Sequence, residues 1–286
     1  MVTLVCKLCG SDAIRKKIDY FDWEIFRCKE CGFRFAQGGE ALEIDDHYDK
    51  NYFNSFITRD EMDKWAKIYA SRLKSFIEYS PNRKLLEIGA GASKFAVLAV
   101  KKGFQVDVVD GSPWAVKFLK EHESVNGWVV NLNECDLPLK TYGAIHCSHL
   151  LEHLSNPLGL LEQSFSALVP GGIMHLSFPA YEKNILTIRD GLFKLGFANY
   201  PYNYQAPDHV SYFDRRCIRE TLNKIGFELT SIRRTKFISI AYSFARMDGG
   251  STHRKLIMRV SEMLSPITSR LGFHRDLEII ARRPVC

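Results

Sequence analysis

The chain has 286 residues, 46% of them hydrophobic, which suits one large domain or a domain with a small appendage. It contains no apolar segment of membrane-spanning length, and its first residues lack the layout of a signal peptide, so we expect a cytoplasmic protein. The net charge of +6 is spread along the chain. This fits an anionic small molecule better than nucleic acid, whose binding proteins usually carry a stronger and more localised basic surface.

Four of the eight cysteines fall near the N-terminus in two Cys-x-x-Cys pairs. Each pair is followed by a glycine, Gly10 or Gly32, which permits the tight turn of a zinc knuckle. The alternative is that these cysteines are redox-active or form disulfides. We disfavour it because disulfides are rare in a reducing compartment, and one shared metal ion accounts for both pairs together. We therefore expect a zinc-ribbon-like module over residues 1–36 with a closed, structural Zn²⁺ site, whose ligands are Cys6, Cys9, Cys28 and Cys31.

Residues 37–80 are predicted to form a connector and an amphipathic helix. The connector is acidic and aromatic, and the helix is indicated by apolar residues at helical spacing that end before Pro81. These residues are Trp65, Ile68, Tyr69, Leu73, Phe76 and Ile77.

From residue 81 to the end, strands alternate with helices. This alternation predicts an α/β domain with a doubly wound, mostly parallel, seven-stranded Rossmann-like sheet that binds its ligand at the carboxyl ends of the strands. The predicted strands cover 84–88, 105–110, 128–132, 144–148, 173–178 and 227–233, with 276–282 as a last edge strand, and a turn is expected at Pro170-Gly-Gly.

Two insertions interrupt this domain, over residues 180–208 and 250–272. The second is amphipathic, and the first is aromatic and long enough to be a lid or a binding surface. Within the first, core packing is expected for Phe193 and Phe197. The alternating Tyr200, Tyr202 and Tyr204 are expected to be more exposed, either stacking on a sugar or packing on the sheet.

The strongest functional signal is the segment Leu85 to Gly91, where an apolar strand runs into a glycine turn. The next strand delivers Asp110 roughly 20 residues later, where a nucleotide-binding unit places a ribose. Lys94 stands where a dinucleotide site needs a small residue, and Glu87 would repel a phosphate but suits an ammonium group. The pattern therefore predicts S-adenosylmethionine, which has an adenosine, an ammonium and a sulfonium but no phosphate. An ordinary loop is the alternative.

The ordered set of segments resembles the class I S-adenosylmethionine-dependent methyltransferases, in particular the small-molecule and sugar methyltransferases, from about residue 85 to 284. Two positions depart from that pattern: Gly143 replaces a usual aspartate, and Asn133 stands for the aspartate that often contacts adenine. The matching segments are Leu-Leu-Glu-Ile-Gly-Ala-Gly, Val-Val-Asp-Gly-Ser-Pro, Cys-Asp-Leu-Pro, Ser-His-Leu-Leu-Glu-His-Leu-Ser-Asn-Pro, Pro-Gly-Gly, Asp-His-Val-Ser-Tyr-Phe and Ile-Gly-Phe.

The resemblance implies S-adenosylmethionine as cofactor and assigns roles to residues around it. The methionine part would be lined by Glu87, Gly89, Gly91 and Ser148. The ribose would contact Asp110, Gly111 and Ser112, and the adenine would lie beside Asn133 and Glu134.

Methyl transfer is an in-line displacement in which the enzyme aligns the acceptor and excludes water. An acceptor hydroxyl also needs a base, for which His209, His149 and His153 are the candidates. His149 and His153 could instead be helix-capping or core histidines, and the alternative for His209 is that it only pins the lid. We expect O-methylation of a sugar or other polar small molecule.

Two other classes of function stay open. In an RNA methyltransferase, the zinc module would hold RNA, which the positive charge permits. A non-catalytic scaffold would need a degraded cofactor pocket, and the intact Gly89, Gly91 and Asp110 argue against that reading.

Overall fold

The computed structural model describes residues 4–39, 59–91, 93–122, 125–181, 195, 204–234 and 276–285, with backbone alone for 59–67 and 122. The predicted insertion over 250–272 and the expectations for Phe193, Phe197, Tyr200 and Tyr202 lie outside the described residues.

The described elements form two sheets and the helices that cover the larger one. In chain order they are β1 (Ile14–Tyr20), β2 (Trp23–Cys28), β3 (Arg34–Gly38), α1 (Arg59–Tyr79), β4 (Lys84–Ile88), α2 (Lys94–Lys101), β5 (Gln105–Asp110), α3 (Pro113–His122), β6 (Asn126–Val129), β7 (Tyr142–Ser148), a 3₁₀ turn (Leu151–His153), α4 (Pro157–Ala167), β8 (Leu168–Pro179), β9 (Ser211–Tyr212), α5 (Arg215–Ile225), β10 (Glu228–Arg234) and β11 (Asp276–Arg282).

The large sheet has seven strands in the order β10-β11-β8-β7-β4-β5-β6. Its core, from β8 to β6, is parallel, whereas β11 is antiparallel to both β8 and β10. The predicted doubly wound, mostly parallel seven-stranded sheet is therefore confirmed. The expectation of an edge strand over 276–282 is wrong, because β11 pairs with β8 over seven residues and leaves β10 at the edge.

Two other predictions made from the sequence are wrong in detail. The strand expected over 128–132 is β6 and lies earlier, because Gly127 lets it approach β5 so closely that an added Cβ would lie 2.8 Å from Val108. The turn expected at Pro170-Gly-Gly is part of β8, whose pairing with β7 shifts register at this point.

Helix α1 covers one face of the sheet through the apolar stripe that the sequence predicts. Leu73 and Phe76 are buried, and the Phe76 ring meets Phe95 of α2 edge-on at 5.8 Å. Ile68 and Ile77, from the same stripe, are each 40% exposed, so fewer residues of the stripe are buried against the domain than the sequence predicts. None of the helices in the described ranges combines the length and the apolar character needed to cross a membrane.

The N-terminal sheet has four strands in the order β1-β2-β3-β9. Its last strand comes from the segment after the first insertion, so the N-terminal module is joined to the larger domain by backbone pairing of β3 with β9. The buried ring of Phe213 lies 5.1 Å from both Phe33 and Phe178, which merges the cores of the two parts.

Tyr204, predicted to be exposed, is fully buried at this junction. The guanidinium of Arg34 donates a hydrogen bond to its hydroxyl at 3.0 Å, and its ring packs edge-on against Tyr20 and Tyr212. The expectation of exposure is wrong because the N-terminal module supplies both a polar partner for the hydroxyl and an apolar surface for the ring.

A shared core predicts that the two sheets unfold together. We expect Phe213→Ala to destabilise the chain by about 3–5 kcal/mol, the usual effect of truncating a buried Phe, whereas Leu139→Ala, 70% exposed, changes little. Hydrogen exchange followed by mass spectrometry during denaturation is the measurement, and β1–β3 and β4–β8 should lose protection in one transition. Separate transitions for the two sheets would contradict this prediction.

Candidate functional site

The glycine turn lies at the carboxyl end of β4, the strand between β5 and β7. Gly89 and Gly91 have φ of +69° and +52°, and an added Cβ at Gly89 would lie 3.0 Å from the Leu150 side chain. Ser93 then caps α2 by accepting hydrogen bonds from two backbone amides. Both glycines therefore take a backbone conformation that other residues rarely adopt, and Gly89 also leaves room for the Leu150 side chain.

Asp110 ends the neighbouring strand β5 and bridges two loops. Its carboxylate accepts hydrogen bonds from the amides of Gly91, at 2.8 Å, and Ser112, at 2.7 Å. Burial raises the pKa of Asp110, and these amides oppose the shift. The Ser112 hydroxyl itself is turned to α3, where it accepts from the Ala115 amide at 3.3 Å.

Glu87 is 4% exposed and lies beneath the turn. Its carboxyl group accepts from the Ser93 hydroxyl at 2.5 Å and contacts His146 Nδ1 at 3.0 Å. Burial raises the pKa of Glu87 to about 8 and lowers that of His146 well below its ordinary value. The pair is therefore neutral near pH 7, and a cationic ligand would favour the ionised carboxylate.

A polar network behind Glu87 was not foreseen from the sequence. Arg72 of α1 is 8% exposed, pairs with Glu278 at 2.6 Å, and lies 3.4 Å from His146 Nε2 and 3.3 Å from the Ser148 hydroxyl. Phe95 stacks on the His146 ring at 3.7 Å. Two features of the sequence could have indicated this network: His146 lies inside the apolar strand β7, and Arg72 lies next to the apolar stripe of α1.

Asn133 and Glu134 lie in the loop after β6. The Asn133 side chain accepts hydrogen bonds from the Ser155 hydroxyl and the Asn156 amide, at 3.1 and 3.0 Å, so it ties this loop to the start of α4. Both residues line a cavity of about 190 Å³ on this side of the sheet, together with Cys135.

His149 follows directly after β7 and has a φ of +53°. Its ring lies between two acidic side chains, with Nδ1 3.4 Å from Glu152 and Nε2 3.7 Å from Asp276. Glu152 is 1% exposed. Burial acts to raise the pKa of Glu152, but His149 and the neighbouring histidines hold it below its ordinary value.

His153 and His209 also lie beside Glu152, and their rings meet edge-to-face with their centroids 4.8 Å apart. His153 Nδ1 lies 2.7 Å from the carbonyl oxygen of Asp208, and His209 Nδ1 lies 3.0 Å from the Tyr181 hydroxyl. Burial lowers the pKa of His209 to about 4, so this ring is neutral at pH 7 and a weak base.

The three histidines predicted as catalytic thus surround one buried carboxylate. This cluster follows β7, and β4 is its neighbour in the sheet, so the cluster and the glycine turn lie at the carboxyl ends of adjacent parallel strands. Such an edge is where ligands of these sheets bind.

The four N-terminal cysteines lie together, with their Sγ atoms within 4.8 Å of one another. Two Sγ pairs are 3.6 Å apart, too long for disulfide bonds of about 2.05 Å. Tetrahedral zinc with Zn–S bonds of about 2.3 Å places its sulfurs roughly 3.8 Å apart. The arrangement fits such an ion, and Gly10 and Gly32 turn the two knuckles at positive φ.

A basic cavity of about 390 Å³ separates the cysteine knuckles from α5. Its cations outnumber its two acidic residues, Glu30 and Asp214, so it suits an anion. These cations are Arg27, Lys29, Arg215, Arg216 and Arg219.

Comparison with known sequences places most of the chain in one family. A family profile described as "Methyltransferase domain" matches residues 59–232, more than half of the chain. The ubiquinone biosynthesis O-methyltransferase of Xanthomonas campestris pv. campestris (strain B100) is 28% identical over 103 residues, covering 34% of this chain and 43% of that protein. The mitochondrial enzyme of the same name from Schizosaccharomyces pombe is 29% identical, covering 33% and 37%. The chain thus spans about two fifths of the length of the curated relatives it matches.

Solved structures show the same fold. An S-adenosylmethionine-dependent methyltransferase from Archaeoglobus fulgidus superposes with a TM-score of 0.52 at 21% identity, over 76% of this chain and 94% of that one. Geranyl diphosphate C-methyltransferase from Streptomyces coelicolor A3(2) superposes with a TM-score of 0.54 at 14% identity, over 82% and 86%.

The buried Glu87 gives stability a pH dependence of known sign. The pKa of Glu87 in the folded chain is about 8, above its ordinary value of 4.5, so the folded state binds the proton more tightly than the unfolded state. The stability that this proton provides is complete at low pH and is lost as the pH rises through 8. We expect urea unfolding to show the free energy of unfolding falling from pH 6 to pH 8, with Glu87 contributing on the order of 1 kcal/mol per pH unit. Glu87→Gln should remove this contribution and the exposed control Glu121→Gln should keep it. Equal slopes in all three proteins would refute the assignment.

Proposed function

Because the chain belongs to the class I S-adenosylmethionine-dependent methyltransferases, we propose that it transfers the methyl group of S-adenosylmethionine to a hydroxyl of a sugar or other polar small molecule. The observation that carries this proposal is the position of the Glu152 and histidine cluster beside the turn that holds Glu87 and Asp110. The O-methyltransferases of ubiquinone biosynthesis among its relatives support a hydroxyl acceptor.

The donor half of the proposed site is formed by the ends of β4 and β5. Glu87 would pair as a carboxylate with the ammonium group, and Asp110 would accept hydrogen bonds from the ribose hydroxyls. The glycines of the turn would let its backbone lie close to the cofactor. The remaining residues proposed to contact it are Gly89, Gly91, Gly111, Ser112, Asn133, Glu134 and Ser148.

The acceptor half is formed by the residues after β7. S-adenosylmethionine supplies an electrophilic methyl group, and the protein aligns the acceptor oxygen with it and excludes water. His149 is the proposed base, because the buried Glu152 beside it stabilises the imidazolium that forms. His209 is a weaker base, and His153 and His209 position the site.

Methyl transfer to RNA is the second candidate function, favoured by the basic cavity beside the cysteine knuckles. In this reading the N-terminal module holds the phosphate backbone, and RNA affinity falls steeply with salt. A small-molecule acceptor, in contrast, gives turnover with little salt dependence and no measurable RNA affinity at physiological salt.

We also propose that the four cysteines bind a structural Zn²⁺. The domains are then a zinc-binding module over 1–36, a connector and helix over 37–80, and a methyltransferase domain over 81–286 with insertions at 180–208 and 250–272. Four thiolates leave no open coordination position, so the ion stabilises the module and takes no part in catalysis. Because β3 pairs with β9, loss of the ion would also disturb the acceptor half of the site.

Calorimetry with S-adenosylmethionine and with S-adenosylhomocysteine tests the donor half. Asp110→Ala should weaken binding at least tenfold, because the ribose loses its acceptor, while the exposed Asp22→Ala should bind as wild type. Wild-type affinity in Asp110→Ala, or no binding by the unaltered protein, would contradict the proposal.

His149→Gln should keep the affinity and slow transfer of a radiolabelled methyl group by about 10²–10⁴.

Metal analysis tests the cysteine site. The purified chain should contain one zinc per molecule, lost in Cys9→Ser together with the folded N-terminal module, because zinc binding and folding are coupled in such modules. Cys135→Ser, which removes a thiol elsewhere in the chain, should keep the zinc. Zinc-free protein with protected β1–β3 amides would show that the cluster needs no ion.

A further inference from the structure

We propose that the basic cavity between the cysteine knuckles and α5 binds a phosphate group carried by a small molecule. This inference goes beyond methyl transfer, because none of the residues that line the cavity is assigned to the donor or the acceptor half of the methyl-transfer site. The cavity volume of about 390 Å³ is in the usual range for small-molecule sites. Its cations come from both parts of the chain: Arg27 and Lys29 from the N-terminal module, and Arg215, Arg216 and Arg219 from α5.

Two of the guanidinium groups that line the cavity have unused hydrogen-bond donors. The Nε atoms of Arg27, on β2, and Arg215, the first residue of α5, are both buried, and neither has a hydrogen-bond partner among the described residues. A buried donor without an acceptor is unfavourable, and more so when the group is charged. The planar N–H groups of a guanidinium match the oxygens of a phosphate. One phosphate group in the cavity would therefore supply acceptors to both side chains.

The N-terminal sheet places like charges side by side next to the cavity. In the strand register, Arg27 lies directly opposite Arg15 on β1 and directly opposite Arg34 on β3. Residues in such positions have side chains on the same face of the sheet, and like charges there are destabilising. Asp214, which also lines the cavity, offsets part of this repulsion on Arg27. The negative charge of a bound phosphate would offset more of it.

The start of α5 carries positive charge at the end of the helix that favours negative charge. Arg215 and Arg216 are its first two residues, and its first turn contains no acidic residue. The N-terminus of a helix has a partial positive charge, so cations are unfavourable there and anions are favourable. Arg216 is paired with Glu220 at 2.7 Å. The positive charge that a ligand would meet on this wall therefore comes from Arg215 and Arg219, one helical turn apart.

The shape of the basic surface favours a small molecule over RNA. Its cations converge on one concave cavity, whereas RNA-binding surfaces extend along several phosphates of a strand. A further alternative is that the arginines only balance the negative charge of the proposed zinc–thiolate centre, since Cys31 lines the same cavity. In that case the cavity needs no anion, and a phosphate-bearing molecule would not bind.

Isothermal titration calorimetry on the full-length, zinc-loaded protein tests this site, with inorganic phosphate and glycerol phosphate as probes and glycerol as the uncharged control. We expect both probes to bind at one site per chain and glycerol to give no binding. Arg27→Gln and Arg215→Gln should each weaken binding at least tenfold, because each removes a charged donor to the phosphate oxygens. Arg83→Gln, which removes an exposed arginine outside the cavity, should bind as wild type.

Two further readouts make each outcome decisive. Arg27 precedes Cys28, so zinc content is measured on the same samples, and if Arg27→Gln loses zinc, Arg215→Gln and Arg219→Gln carry the comparison. In hydrogen exchange, glycerol phosphate should protect the amides of β2 and of the start of α5 together, because the site takes residues from both.

Three results would overturn the proposal. Glycerol phosphate may fail to bind, in which case the cations serve only the cysteine centre or a free anion. It may bind equally to the folded, zinc-loaded variants, which would place it outside the cavity. A single-stranded RNA oligonucleotide may bind through these arginines while glycerol phosphate does not, which would assign the cavity to RNA.

Discussion

The backbone of residues 208–213 holds three parts of the structure together, because each of them is hydrogen-bonded to it. The Val210 amide donates to the Glu152 carbonyl, and the Ala36 amide of the N-terminal module donates to the Val210 carbonyl. The Tyr181 amide, two residues after β8, donates to the Phe213 carbonyl. A buried backbone requires such partners. One short segment therefore fixes the cysteine module, the sheet edge and the histidine cluster relative to one another.

The two halves of the site differ in how they handle a buried carboxylate. Glu87 is desolvated beside a neutral histidine, so its pKa rises, whereas the histidines around Glu152 hold its pKa down despite burial. Both side chains belong to the carboxyl ends of adjacent parallel strands. In the proposed reaction, the Glu87 carboxyl group would exchange its proton for the ammonium group of the donor, and the Glu152 carboxylate would keep its negative charge beside the proposed base.

Much of the fold follows from local sequence patterns. The alternation of apolar strands and helices gives the parallel sheet, and the glycine turn with Asp110 marks its ligand-binding edge, because both are encoded by neighbouring residues. The place of β11 could not be predicted, since strand order depends on pairing between residues far apart in sequence. The two-residue strand β9 and the burial of Tyr204 have the same origin: each depends on a partner in the N-terminal module.

A crystal structure of the chain with S-adenosylhomocysteine would test the central claim, that the edge formed by β4, β5 and β7 is a methyl-transfer site. We expect the ribose hydroxyls at Asp110, the ammonium group at Glu87, and the sulfur on the side of the turn that faces Glu152 and His149. The ligand bound in the basic cavity beside the cysteine knuckles, or no ligand at saturating concentration, would contradict it.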